Sequence, residues 1–290
     1  VILADEQNEF GGWLLGESDT TIDGKAPADW VAGVVAELEA MPEVTLLPRT
    51  TVFGYMDHNY ITLTERVTDH LGERPAQLPR QRMWKVRAGQ TVLAQGAHER
   101  PLVFSGNDLP GVMLSGAVRS YITRYGVVPG NRTVVFTNND DAYRTALALH
   151  GAGAHVVVVD LRRDLKGELV KAVRAAGIEV MSGSAVTIAA GTQRIARVEI
   201  SPVNEGATQV LDDPIHMDCD LLAMSGGLTP AVHLHSQARG KLGWDDQQLC
   251  FKPTTVHEAS FNAGAGNGVF ATDKAIENGM QAGTAAARAE

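Results

Sequence analysis

Thr133-Val134-Val135-Phe136-Thr137-Asn138-Asn139-Asp140-Asp141-Ala142-Tyr143, followed by His155-Val156-Val157-Val158-Val159-Asp160, decides the fold. Both apolar runs are short and rich in β-branched residues, the pattern of strands buried on both faces. Ala142–Leu149 between them has helical spacing, so the segment reads as strand, helix, strand, with an acid closing the second strand. Outward from it, Leu165–Ala175 reads as a helix and Glu179–Met181 as a strand. Val186–Ala189 and Ile195–Ser201 read as a meander, and Asp218–Met224 as a further buried strand. This alternation predicts an α/β fold built on a parallel sheet.

A second such unit begins the chain. Val1–Ala4 reads as a buried strand, followed by Asp5, Glu6, Gln7 and the pair Gly11-Gly12. In a dinucleotide-binding βαβ unit the second strand ends in an acid that hydrogen-bonds the adenosine ribose, and glycines let backbone pass close to pyrophosphate. Asp5 reads either as that acid or as a solvated strand end. The Gly-x-Gly-x-x-Gly fingerprint lies roughly 20 residues before the acid, so the first strand and helix are expected to be missing from this segment of a longer polypeptide. Further along, Ala26–Met41 has a helical pattern with Pro27 near its start. Strands are expected over Val44–Leu47, Thr50–Met56, Asn59–Val67, Met83–Arg87, Thr91–Leu93 and Val269–Ala271. His70–Arg80 is a polar loop, and Ala117–Tyr125 and Lys274–Arg288 are helices.

Composition limits the function. The chain has 290 residues, 44% hydrophobic and 20% charged, as expected of a globular protein. The net charge of −9 argues against a phosphate-backbone binder. No apolar run is long enough to span a bilayer. The two cysteines, Cys219 and Cys250, make neither a disulfide framework nor a cysteine metal centre. The expectation is a reduced, cytoplasmic protein with no membrane or nucleic-acid partner.

The more specific signals are longer. Gly96-Ala97-His98-Glu99-Arg100-Pro101-Leu102-Val103-Phe104 and Asn107-Asp108-Leu109-Pro110-Gly111-Val112-Met113 resemble one branch of the FAD/NAD-dependent oxidoreductases. That branch includes sarcosine oxidase α subunits, hydrogen cyanide synthase and opine oxidase subunits. Gly116–Val127 and Val134–Ala146 favour the first of these. The resemblance implies two doubly wound dinucleotide-binding-type domains of the disulfide-reductase kind, one inserted in the other. The first would span 1–105 plus 230–290 and bind NAD, and a degenerate nucleotide-binding-like domain would span 106–229. It also implies partner subunits in a heterotetramer, with FAD and FMN elsewhere in the complex. The whole would convert sarcosine to glycine, with formaldehyde or methylene-tetrahydrofolate and hydrogen peroxide as further products. A subunit of an opine or cyanide-forming oxidase, or a ligand-free docking scaffold, are the competing readings.

The cofactor candidates are Asp5, Glu6, Gln7, Gly11, Gly12, Val52, Gln95, Gly96, Ala97, Gly266 and Asn267. Ala94-Gln95-Gly96 stands where relatives leave the first nucleotide domain through Ala-Thr-Gly, or is a plain turn. Gly266-Asn267 stands where relatives carry a flavin-binding Gly-Asp, which weakens the case for flavin. In the second half the glycine positions of the fingerprint are Thr137, Asn139 and Ala142, so both close-approach glycines are absent. Asp140 and Asp141 are expected to cap the helix start and repel pyrophosphate. Arg100 reads as a phosphate contact or a structural ion pair, and the loop after Ser225 as a backbone approach to the dinucleotide or an ordinary turn. His233 and His235 read as surface residues, and Cys219 and Cys250 as core. No catalytic residue and no metal site is expected in this segment.

Overall fold

The computed structural model describes residues 1–289, so residue 290 of the expected 230–290 stretch lies outside the described residues. The chain divides into two compact units, Val1–His98 with Leu228–Glu290, and Glu99–Gly227. The first break precedes Glu99 rather than following residue 105, because Glu99 and Arg100 already bond within the second unit. Glu99 Oε2 accepts from the Gly116 N–H at 2.8 Å, and the Arg100 N–H donates to the Gly227 carbonyl at 2.8 Å.

The first unit opens with β1 (Ile2–Ala4), a 3-10 turn at Gly12–Gly16 and α1 (Pro27–Glu39). Pro27 lies in the first helical turn, where its missing N–H leaves no bond unmade. β2 (Thr45–Leu47) runs parallel to β1. β1 is not the buried strand expected: Ile2 is 43% and Leu3 39% exposed, since a two-stranded sheet covers little of either face. β3 (Thr50–Met56), β4 (Tyr60–Arg66) and β5 (Gln81–Arg87) form an antiparallel sheet, and β6 (Thr91–Leu93) leads to β7 (Ala97–Glu99).

The second unit holds the expected parallel sheet. Its strands are β8 (Val112–Leu114), β9 (Arg132–Thr137), β10 (His155–Asp160), β11 (Glu179–Ser182) and β15 (Leu221–Ser225). They stand in the order β11-β10-β9-β15-β8, all parallel. The helices are α2 (Ser115–Tyr125), α3 (Asp141–Gly151) and α4 (Glu168–Ala175). Alternate residues of β9 explain the layering. Val135 packs with Val118, Tyr143, Leu149 and Val170 of the helices. Val134 and Phe136 pack with Val186, Val198 and Ile200 of an antiparallel meander, β12 (Ser184–Gly191), β13 (Ile195–Pro202) and β14 (Ile215–Asp218). The second face is thus covered by strands. The strand expected over Asp218–Met224 is divided between β14 and β15 at Asp220, whose Oδ1 accepts from the N–H groups of Asn131 and Arg132, both at 2.9 Å.

The chain then returns to the first unit through β16 (Leu228–Pro230), α5 (His233–Gln237), the hairpin of β17 (Lys241–Asp245) and β18 (Cys250–Thr255), β19 (Ser260–Asn262) and α6 (Thr272–Arg288). β16 pairs with β7, and β19 runs parallel to β6. No strand forms over Val269–Ala271, because the place beside β6 is taken by Ser260–Asn262. A 3-10 turn at Gly264–Asn267 then redirects the chain into α6.

Candidate functional site

The cofactor candidates fall into two groups in the first unit. The first surrounds the end of β1. The Asp5 N–H donates to the Leu47 carbonyl at 3.0 Å, and the Asp5 carbonyl accepts from Thr50 at 2.7 Å. Asp5 Oδ1 accepts from the Gln7 N–H at 2.8 Å, an Asx turn that fixes the carboxylate. Arg66 Nη2 donates to the Glu6 carbonyl at 2.7 Å, and the Arg49 N–H to the Gln7 carbonyl at 2.7 Å. Among the described residues, Asp5 Oδ2 takes no protein hydrogen bond. Val52 lies half-buried on neighbouring β3. Gly11 and Gly12 have φ of 124° and 53°. A Cβ on Gly11 would stand 2.8 Å from Val31 Cγ1, so only glycine lets this turn lie against α1.

The second group joins the end of β6 to the turn after β19. Gly96 has φ 76°, and its carbonyl accepts from the Ala231 N–H at 3.0 Å. Gly266 is buried against this backbone: a Cβ there would lie 3.5 Å from the nitrogens of Gln95 and Gly96. Gln95, Gly96 and Gly266 therefore meet, with Ala97 the next residue along the strand. Asn267 turns its Nδ2 toward Asn278 Oδ1 at 3.4 Å. Since β19 ends at Asn262, the residues directly following it are Ala263-Gly264-Ala265. A neutral pair stands there as well as at Gly266-Asn267.

The second unit fills the same features with its own side chains. Asp160 ends β10, as Asp5 follows β1, but is fully buried. Its Oδ2 accepts from the Tyr143 hydroxyl at 2.8 Å and Arg162 Nη2 at 2.8 Å. Its Oδ1 accepts from the Arg162 N–H at 2.9 Å and Nε at 3.1 Å. Burial and the Asp160 charge push the Tyr143 phenol well above its ordinary range. At the start of α3, Asp140 and Asp141 do not cap. Asn139 Oδ1 accepts the Asp141 N–H at 3.1 Å. Asp140 pairs instead with Arg162 at 2.8 Å and Asp141 with Arg119 at 3.1 Å, so the acids face guanidinium groups rather than free amides. Asn139 Nδ2 donates to the Ser225 carbonyl and hydroxyl, both at 3.1 Å. Glu99 occupies the amide end of α2, and burial raises its carboxyl, opposed by hydrogen bonds from Ser225 and Gly116.

His235 is buried at 2% exposure, not a surface residue, because its ring bridges Lys241 and Asn262. His233 is exposed, its ring edge-on to His98 with centroids 5.9 Å apart. Among the described residues no group of three metal-ligating side chains gathers. Cys219 and Cys250 are both buried, and burial pushes the Cys219 thiol up to about 12. The Arg100 guanidinium lies over Gly227, where a Cβ would stand 2.7 Å from its Nη2. Sequence reasoning missed Asn278, whose Oδ1 also accepts the Gly264 N–H at 3.0 Å. The glycine at the head of the turn was the available signal, since its amide needs an acceptor from the following helix.

This architecture defines a flavin- and nicotinamide-dinucleotide fold of the disulfide-reductase class. Thioredoxin reductase from Lactococcus lactis matches 99% of this chain and 89% of its own with a TM-score of 0.73 at 18% identity. That from T. acidophilum matches 97% and 87% with a TM-score of 0.70 at 14% identity. No protein-family model matches. The sarcosine oxidase subunit alpha of Corynebacterium sp. (strain P-1) is 43% identical over 290 residues, 100% of this chain. That of Rhizobium meliloti (strain 1021) is 43% identical over 257 residues, 87% of the chain. The chain belongs to the family of sarcosine oxidase α subunits. It spans 30% and 24% of the length of these two relatives.

Proposed function

We propose that this chain is the dinucleotide-binding portion of a sarcosine oxidase α subunit and that its first unit holds NAD. The observation that supports this most is the contrast between the two strand-end acids. Asp5 is oriented by its own turn with Oδ2 unengaged, whereas both oxygens of Asp160 are taken by Tyr143 and Arg162. Asp5 would accept from the adenosine ribose hydroxyls, and the Gly11-Gly12 turn would let the pyrophosphate approach backbone. Gln95, Gly96 and Gly266 would hold the far side. Bound NAD supplies hydride exchange. The residues here would bind and orient it.

In this reading the complex oxidises sarcosine to glycine, releasing the one-carbon unit as formaldehyde or passing it on as methylene-tetrahydrofolate, with electrons going to oxygen. FAD and FMN reside elsewhere in the assembly, and this segment contributes the dinucleotide and a surface for other subunits. The neutral Gly264-Ala265 and Gly266-Asn267 favour NAD over flavin here, since neither offers a carboxylate to a ribityl chain. Nucleotide released on denaturing the purified protein should be NAD. Asp5→Ala should weaken its retention at least about tenfold, from the loss of a charged hydrogen bond worth roughly 1.5–3 kcal/mol. Undiminished NAD content in that variant overturns the assignment.

A further inference from the structure

The antiparallel sheet of β3, β4 and β5 in the first unit has one covered face and one open face. Leu63 stands opposite Val52 and Trp84, and Ile61 opposite Tyr55 and Val86. These residues form the inward face, where Tyr55 and Leu63 are buried. The alternate residues point the other way. Thr64 stands opposite Thr51 and Met83, Thr62 opposite Gly54 and Lys85, and Tyr60 opposite Met56 and Arg87. The register skips Phe53 between Val52 and Gly54, a bulge that adds one more large side chain to the exposed surface. The cofactor candidate Val52 belongs to the inward face, so the open face is separate from it.

Phe53 is 48%, Met56 42% and Met83 60% exposed, so the open face presents three large apolar side chains to solvent. Lys85 and Arg87 border them. Lys85 is exposed and, among the described residues, has no ion-pair partner. Arg87 is exposed, lies 5.5 Å over the Tyr60 ring and donates to the His58 carbonyl at 3.3 Å. No Asp or Glu stands among the strand residues of this face, although the net charge of the chain is −9. Aromatic, methionine and arginine side chains are enriched where proteins meet. An exposed apolar patch with a polar rim marks such a contact. A lipid surface or nucleic acid calls for denser positive charge, on the order of 4–8 clustered Lys or Arg for anionic lipid. A lone pair of cations suits a few carboxylates placed beside apolar side chains.

We infer that this open face docks another protein subunit, whose contact surface carries aliphatic or aromatic side chains flanked by carboxylates. Its apolar part packs on Phe53, Met56 and Met83, and its carboxylates pair with Lys85 and Arg87. The inference rests on the reading of this chain as part of one subunit of an assembly. The test uses the full α subunit, free and assembled with its partner subunits. Brief treatment with hydrogen peroxide, read by mass spectrometry, should oxidise Met83 readily in the free subunit and several-fold more slowly in the assembly. This footprint needs no substitution, so it decides the matter even where a variant fails to fold. Charge reversal by Lys85→Glu with Arg87→Glu should weaken assembly on the order of tenfold at low salt. Lys85→Arg, which keeps the charge, should assemble as the native subunit does. Assembly that leaves Met83 equally reactive, or that is indifferent to the charge reversal, overturns the inference and leaves the subunit reading standing. Failure of the native α subunit to assemble at all overturns both. Charge reversal that spares assembly and instead removes binding to anionic vesicles or RNA also overturns it.

Discussion

Asp5 and Asp160 stand at the ends of comparable strands in the two units, and their surroundings are opposite. Asp160 closes an inner strand of a five-stranded parallel sheet with cores on both faces, and four hydrogen bonds enclose its carboxylate. Asp5 follows a strand of a two-stranded sheet beside exposed Ile2 and Leu3, with one oxygen held by its own turn. The comparison teaches that an acid at a strand end serves a ligand only where nearby cations and hydroxyls leave it room. In the second unit the acid is part of a buried hydrogen-bond network with Tyr143 and Arg162. The first keeps the glycines and the unengaged oxygen.

The comparison breaks most visibly in the cores. Leu222 is fully buried in the sheet of the second unit, and Leu222→Ala should cost about 2–5 kcal/mol. Leu93 belongs to a much smaller cluster with Tyr55 and Ala238, and Leu93→Ala should fall at the lower end of that range. Denaturant midpoints for both variants check this, and equal losses would remove the distinction between a large core and a small one.

The acids themselves give the next test. Asp160→Ala leaves the Tyr143 hydroxyl buried without its partner and frees Arg162 from both oxygens, which should cost about 3 kcal/mol. Asp5→Ala removes one exposed turn bond and should shift stability by less than about 1 kcal/mol. Chemical denaturation of the two variants without nucleotide measures the contrast. Comparable losses would mean that Asp5 too is structural, and the argument for its ligand role would fall.

Much of the second unit was legible in the sequence because Val156–Val159 and Leu221–Met224 are uninterrupted apolar runs, which only a sheet covered on both faces buries. The α/β fold with a parallel sheet followed from them, whereas its disulfide-reductase kind came from the resemblance carried by residues 96–104 and 107–113. The first unit was harder to read. Its hairpin of β17 and β18 exposes Trp244 and Phe251 at 50% and 51%, so its alternation does not separate core from solvent. β19 has only three residues, and the apolar Val269-Phe270 just beyond it drew the expected strand away from Ser260–Asn262. The glycines marked the turns near the candidate site. The side chains that hold those turns, Asn278 and the Asn262–His235 pair, come from distant positions, and their spacing carries no periodic signal. At α3 the acids were legible as neighbours of a helix start, but their pairing with Arg162 and Arg119 depends on the folded sheet.

The smallest effect tests how tightly the second unit encloses Glu99 at the start of α2. Glu99 places a carboxylate on the Gly116 N–H, and burial raises its pKa above the ordinary carboxylate value, against the opposing bonds from Ser225 and Gly116 and with Asp141 adding to the rise. A carboxyl that ionises less readily folded than unfolded favours the folded state while protonated. That contribution is fully present below the unfolded value of about 4.3. It is lost as pH rises through the raised folded value, and stability is constant above it. Glu99→Gln keeps the shape and an acceptor for Gly116 but cannot ionise. The stability of the glutamine variant relative to the native chain should therefore climb as pH rises across that window and level off beyond it. Urea denaturation midpoints of the two chains at closely spaced pH values read the curve directly. A difference between the native chain and the Glu99→Gln variant that stays flat with pH would mean that Glu99 titrates as it does in the unfolded chain. Its surroundings at the start of α2 would then be open to solvent rather than enclosed.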